Sequence, residues 1–331
     1  MNRTEVREAL KDIFEAAVSA VSGSHAVYKY LSSHPMTGHV HLVAVGKAAS
    51  SMCQGALKAM GRQIIEGIVI TKHGHLARVL SDDPRLLCLE TDHPVPGEAS
   101  LSAGKALIKF ISRSPRSAQF LFLISGGASS LVEVLFPSLS LSGLRKINDA
   151  LLSGGLSIIE MNRVRKVVSL IKGGGLLSCL GERETTALLI SDVPGDDPAV
   201  IGSGLLVPDM ERASLPPLPP DVGKLLKGLD LGNRDMKSHQ ARVSINIVAT
   251  LEVAKQAAAR RAEQLGHSAR IHPEFLQGDV ENAAASIAER LRQAEPGVHI
   301  WGGETTINLP AEPGHGGRNQ HLALALAVEL G

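Results

Sequence analysis

"QFLFLISGGASSLVEV", residues 119–134, decides the fold. Its first six residues hold a run of apolar side chains with no polar alternation. A strand of that kind is buried on both faces, as in a parallel sheet covered by helices. The run stops at Ser125-Gly126-Gly127-Ala128-Ser129-Ser130, and apolar residues resume at Leu131. Two readings of this mouth compete. It is a tight left-handed turn that only glycine tolerates, or a backbone cradle for an anion at the start of a helix.

The same alternation extends in both directions. Upstream lie an amphipathic helix with Thr4 as cap, a short strand "HVHLVAV" (39–45) ending in Gly46-Lys47, a helical "KAASSMCQGALKAM", "GIVITK" (67–72), "RLLCLE" (85–90) and a helix near 97–113. Downstream come helices near 140–153 and 157–180, then "TTALLISD" (185–192). Strands alternating with helices predict α/β architecture with mainly parallel sheets. The run "DMERASLPPLPPD" carries four prolines and cannot be a regular element. It predicts a linker at 209–222 between an N-terminal α/β domain, 1–208, and a second, smaller Rossmann-like α/β domain, 223–331. The final helix from Arg318 is apolar on nearly every side, so it demands cover all round. The stop at Gly331 reads as an incomplete second domain.

Composition narrows the function. Net charge is +1 over 331 residues, so no strong field favours nucleic acid or an anionic membrane. Aromatic residues make up only 3%, which counts against a stacking reader of single strands. The three cysteines form no CxxC pair, and no apolar run reaches the ~18 residues of a membrane span. A cytoplasmic setting is expected. His39, His41, His73 and His75 are spaced in pairs but lack the further ligands of a zinc site. His93, between strand and Pro94, sits on a stiff loop. Neither G-x-x-x-x-G-K-[ST] nor a strand leading into G-x-G-x-x-G occurs, which excludes a Walker-type NTPase and weakens a dinucleotide-binding dehydrogenase. The absence of G-x-S-x-G leaves an α/β-type serine hydrolase unsupported.

In open α/β sheets, ligands bind beyond the carboxyl ends of the strands. The residues at those ends are Gly46 and Lys47, then Ser125, Gly126, Gly127 and Ser129, then Asp192, with Gly303 and Glu304 in the second unit, where Gly302–Thr305 reads as a turn. Arg318 and Asn319 open the last helix. A cation at a helix start opposes the helix dipole. Lys47 and Arg318 both sit there, which an anion between them would explain.

"VAVGKAASSM", "ITKHGH", "DHPVPGEAS", "LISGGASSLV", "MNRVRKVVSLIKGGGL", "SDVPGDDPAVIGSG" and "GGETT…GHGGRNQ" follow one another in this order. The set resembles the glycerate 2-kinase family of the MOFRL type, over nearly the whole chain. The resemblance implies two α/β domains with an active-site cleft between them. It also implies phosphoryl transfer from ATP, with a divalent cation such as Mg²⁺, to the 2-hydroxyl of D-glycerate, giving 2-phosphoglycerate. Lys47 and Arg318 match the family's lysine and arginine. Asp192 would hold Mg²⁺ or orient the hydroxyl, and the Gly126–Gly127 turn would bind a phosphate or carboxylate. Some members carry the label hydroxypyruvate reductase. That activity, and an inactive ligand-binding fragment, are the alternatives. The expected partners are small molecules, with a homodimer as the assembly to test.

Overall fold

The computed structural model describes residues 2–153, 156, 158–208, 215–229, 242–309, 312 and 314–331. Its elements, in chain order, are α1 (Arg3–Ala20), α2 (Gly23–Ser33), β1 (Val40–Val45), α3 (Ala49–Met60), β2 (Ile64–Lys72), α4 (Arg78–Ser81), β3 (Leu86–Thr91), α5 (Glu98–Arg113), β4 (Gln119–Ile124) and α6 (Ala128–Leu131). There follow α7 (Leu141–Ser153), α8 (Ile158–Val167), α9 (Leu177–Leu180), β5 (Thr185–Ile190), α10 (Pro220–Lys227), β6 (Val243–Ala249), α11 (Leu251–Gln264), β7 (Ala269–Asp279), α12 (Val280–Arg292), β8 (Val298–Thr306) and α13 (Arg318–Leu330).

Two compact units result, Ser22–Thr250 and Met1–Val21 with Leu251–Gly331. The larger holds a six-stranded sheet in the order β3-β2-β1-β4-β5-β6, parallel throughout. The apolar runs explain it. Val43, Val45, Phe120, Phe122 and Leu189 pack one face with Leu107, Phe110 and Ile111 of α5. Leu42, Ala44, Leu121, Leu123 and Leu188 pack the other with Val27 and Leu31 of α2 and with Met52, Cys53 and Ala56 of α3. Neighbouring residues of one strand thus serve opposite cores, and both sets are buried. Burial pushes the Cys53 thiol up to about 12, and all three cysteines are free.

The boundaries differ from the sequence expectation. β6, beyond the proline-rich run, pairs with β5 and completes the larger unit's sheet, so α10 and β6 do not belong with the smaller one and the second unit does not begin at 223. Residues 209–214 of the expected linker lie outside the described residues, and its last residues open α10, with proline in the first helical turn where no N–H is missed. The first helix belongs with the smaller unit: α1 buries Ile13 against Ala258 and Ala262 of α11, and Asp12 pairs with Arg261 at 2.5 Å. The helical stretch expected over 157–180 is interrupted at "IKGGGLL" (171–177), as those glycines lead one to expect: Gly173 and Gly174 take φ of 57° and 81°, and α9 starts only at Leu177.

His41 lies at 6% exposure between Phe110 and Phe120. Burial pushes its pKa below the ordinary 6.5, against the raising influence of Glu66. The unfolded chain then binds a proton that the folded ring refuses, so stability falls as pH drops below about 6.5. Denaturant midpoints measured from pH 7.5 to 5 are expected to decline, and the decline should flatten in His41→Asn.

The smaller unit carries a two-stranded parallel sheet, β7-β8. Its last helix is not enclosed. Leu324 and Val328 of α13 are 70% and 81% exposed, so the expectation of cover on all faces fails among the described residues. Exposed apolar patches drive self-association. Leu324→Glu with Val328→Lys should therefore raise the monomeric fraction in size-exclusion chromatography without lowering the melting temperature.

Candidate functional site

In the larger unit the chain runs from β1 out through β2 to β3, then returns to the other side of β1 as β4. The gap beyond the carboxyl ends of β1 and β4 is the topological switch point, where ligands of open α/β sheets lodge. Gly46-Lys47 follows β1 there and Ser125-Gly126-Gly127 follows β4. Two backbone bonds tie the loops, Ser125 N–H to Val45 O at 3.1 Å and Lys47 N–H to Gly126 O at 2.9 Å. Thr71 Oγ1 donates to Gly46 O at 3.0 Å from the next strand.

Ser125 has a different task from the one expected. It is 2% exposed, and its Oγ accepts the Ala48 N–H at 3.0 Å. That hydroxyl fastens one loop to the other instead of facing a ligand. Ser129 Oγ is within 2.8 Å of Ser203 Oγ, which links the turn to the "IGSG" loop. The N–H groups of Gly126 and Gly127 make no hydrogen bond among the described residues. Gly127 adopts φ 85°, open to glycine at little cost. α6, which follows, is a single turn of four residues, so the helix-dipole part of the cradle argument falls away. The two free N–H groups carry it alone.

Among the described residues, the side chains of Asp192, Lys47 and His93 lie nearest the two glycines of this turn. A Cβ on Gly126 would lie 1.8 Å from Asp192 Oδ2, which places that exposed carboxylate against the turn. A Cβ on Gly127 would lie 3.1 Å from Lys47 Cγ and 3.0 Å from His93 Cδ2. Lys47 is exposed and makes no salt bridge among the described residues. Burial, and next the charge of Lys47, push the His93 pKa below its ordinary value, so the ring is neutral near pH 7. Gly127→Val is expected to block backbone approach and to strain φ, whereas Ala128→Gly should be mild. Titration of Mg²⁺–nucleotide against both variants tests this: only Gly127→Val should lose affinity.

A cavity of about 200 Å³ opens beside the turn, between His93–Pro96 and Gly127–Ser130. Asn148, Arg165, Lys172 and Glu133 line its inner part. These four were not singled out in the sequence. Lys172, isolated inside "SLIKGGGLL", carried the one available signal: a lysine flanked by apolar residues and glycine is a burial site that needs a partner.

The remaining expected residues fall in the smaller unit. Gly302–Thr305 is not a turn but the interior of β8, paired in parallel with β7. A Cβ on Gly303 would lie 2.1 Å from Leu276 O, so glycine permits the close pairing there. Arg318 donates to Glu304 Oε1 at 2.6 Å and to Thr305 O at 3.0 Å. The cation at this helix start already has its anion, Glu304. Asn319 lies exposed in the first turn of α13. The structure thus gathers Gly46, Lys47, Ser125, Gly126, Gly127, Ser129 and Asp192 at one edge of the larger unit's sheet, and brings Glu304 and Arg318 together within the smaller unit. Among the described residues no cluster of three or more His, Cys, Asp or Glu could hold a metal, and no helix is long and apolar enough to cross a membrane.

A parallel sheet with an unpaired lysine and free glycine amides at its switch point makes a candidate anion site of an α/β enzyme. Residues 9–216 match the family model described as a domain of unknown function (DUF4147). A Thermotoga maritima protein named D-glycerate 2-kinase is 32% identical, over 96% of this chain and 78% of its own length. A protein of Agrobacterium vitis that bears a hydroxypyruvate reductase label is 35% identical, over 99% of this chain and 77% of its own. The crystal structure of Thermotoga maritima glycerate kinase superposes with a TM-score of 0.82 at 30% identity, over 99% of this chain and 80% of that one. The chain belongs to the glycerate 2-kinase family.

Proposed function

We propose that the protein transfers the γ-phosphoryl group of ATP to the 2-hydroxyl of D-glycerate, giving 2-phosphoglycerate in the cytoplasm. The observation that carries the reading is the pair of free amides, Gly126 and Gly127, beside an unneutralised Lys47 at the switch point. Phosphoryl transfer asks a protein for positioning and charge neutralisation more than for covalent chemistry. Gly126 and Gly127 donate N–H groups to phosphate oxygens, and the Lys47 ammonium serves as a point charge on the moving group. Neutral His93, at the rim, is in a state to accept the proton of the attacking hydroxyl.

A single exposed carboxylate suits Mg²⁺, which binds through one or two carboxylates together with substrate phosphates. Asp192 would hold it, and the ion would neutralise phosphate charge. Arg318, oriented by Glu304, is assigned the second cationic role, with Gly303 and Asn319 beside it. A strand leading into the dinucleotide fingerprint is absent, which disfavours hydride transfer.

The test is a pair of assays on one preparation. ADP release with ATP, Mg²⁺ and D-glycerate should be rapid, and an enolase-coupled readout should consume the product directly. NADH with hydroxypyruvate should give no oxidation. NADH oxidation without ADP release would overturn the kinase reading. Binding of both ligands without turnover would support an inactive fragment.

A further inference from the structure

We propose that the cavity beside Gly127 is the carboxylate subsite for the acceptor, with Arg165 as the residue that grips the acid. The inference rests on the hydroxy-acid kinase reading and assigns that reading its substrate pocket.

Size is the first argument. At about 200 Å³ the cavity is smaller than the ~300–1,000 Å³ of pockets that enclose drug-sized ligands. It suits a small organic acid and not a nucleotide. Charge is the second. Two cations line the inner part, but one is already neutralised: Lys172 Nζ lies 2.5 Å from Glu133 Oε2, at 2% and 0% side-chain exposure. The other oxygen of Glu133 accepts the Val134 N–H at 2.9 Å. Arg165 differs. It forms no salt bridge among the described residues, and its one hydrogen bond is a long 3.5 Å donation to Asn162 Oδ1. Burial is the sole influence pulling its pKa below the usual arginine value, with no acid opposing it. A half-buried guanidinium stays charged and has a forked set of donors that matches a carboxylate. The cavity thus presents one uncompensated cation, and the buried, polar Asn148 also lines it.

Position is the third argument. Gly127 and Ser129 form both the cavity rim and the turn that faces Lys47. An acid held at its carboxylate by Arg165 brings the hydroxyl of its adjacent carbon toward that rim, where the phosphoryl group is proposed to arrive. A substrate lacking the carboxylate would leave Arg165 unmatched.

The experiment uses the full chain with Arg165→Gln and Arg165→Lys. Each is checked by circular dichroism melting, because the lysine variant retains the charge if the glutamine variant unfolds. D-glycerate and DL-lactate are titrated calorimetrically. Steady-state KM is measured for D-glycerate and for ATP. Arg165→Gln should weaken binding of both acids, and raise the glycerate KM, by about 10–100-fold, with ATP KM unchanged. Arg165→Lys should recover part of the loss. Acid binding by the wild type that survives in folded Arg165→Gln would overturn the proposal, as would no acid binding by the wild type. A parallel rise in both KM values would assign Arg165 to phosphate instead, and would also overturn it. Wild-type acid binding that Arg165→Gln abolishes, without any glycerate phosphorylation, would sink the kinase reading and leave the carboxylate subsite standing.

Discussion

Lys47→Met is expected to lower turnover by about 10²–10³-fold and to leave the melting temperature within error. The loss follows from electrostatics: removing one preorganised charge or donor aimed at a developing charge costs about that factor. The small effect on stability follows from the surroundings. Lys47 is exposed, makes no salt bridge among the described residues, and contributes only its backbone N–H to the fastening of the two loops. It also stands just before α3, an end of the helix that disfavours cations. Methionine keeps the aliphatic stem that lies against Gly127 and removes only the charge. The readout is kcat beside a thermal melt, and a second signature separates charge from shape. Lys47 is the second-largest influence holding the His93 pKa down. The variant should therefore let that pKa rise toward its ordinary value, seen by proton NMR titration. Near-normal kcat in Lys47→Met would remove the residue from the reaction.

Gly46→Ala carries the other large effect, on stability. Gly46 has φ 136°, and a Cβ there would lie 2.1 Å from Ser125 Oγ, 2.7 Å from Ser125 O and 2.9 Å from Ser125 C. A hydroxyl can rotate away, but a carbonyl inside the loop cannot, because Ser125 is itself bonded to Val45 O and Ala48 N. Backbone strain of about 1–3 kcal/mol adds to overpacking of about 1–3 kcal/mol. Gly38→Ala is the control: φ is 79° but nothing lies within 4 Å, so it should lose only the strain. Urea unfolding of the three proteins separates the terms. Equal midpoints for the two variants would mean that the loop yields freely and that Gly46 is not a fixed element of the site.

Much of the larger unit was legible because β1 and β4 are almost wholly apolar and run straight into Gly46 and Ser125. "FLFLI" and "HLVAV" admit few other readings, and Gly46, Lys47, Gly126 and Gly127 follow from them. Strand order is not written locally, so the return of β6 to the sheet after the proline-rich run could not be read. Nor could the attachment of α1 to α11, which depends on Ile13 meeting two alanines some 245 positions away. Pro273 interrupts "ARIHPEF", yet the strand does not end there: its pairing shifts register between Ile271 and Phe275 and continues, as a residue without an N–H requires. The same continuation carries Gly302–Thr305 into β8. It sets Glu304 beside Arg318, an ion pair that removes the electrostatic puzzle the sequence posed at the second helix start. Arg165 was hidden for the opposite reason. In "MNRVRKVV" it is one of three basic residues, and only the fold shows which of them lines a cavity.

The central claim is that phosphate is held by the free amides at the β1–β4 switch point. Hydrogen–deuterium exchange of the full chain with Mg²⁺ and a non-hydrolysable ATP analogue tests it most directly. The account predicts new protection in peptides covering Gly126 and Gly127, and loss of that protection in Gly127→Val. Nucleotide binding that leaves the Gly126–Gly127 amides exchanging at the rate of the free protein would contradict it.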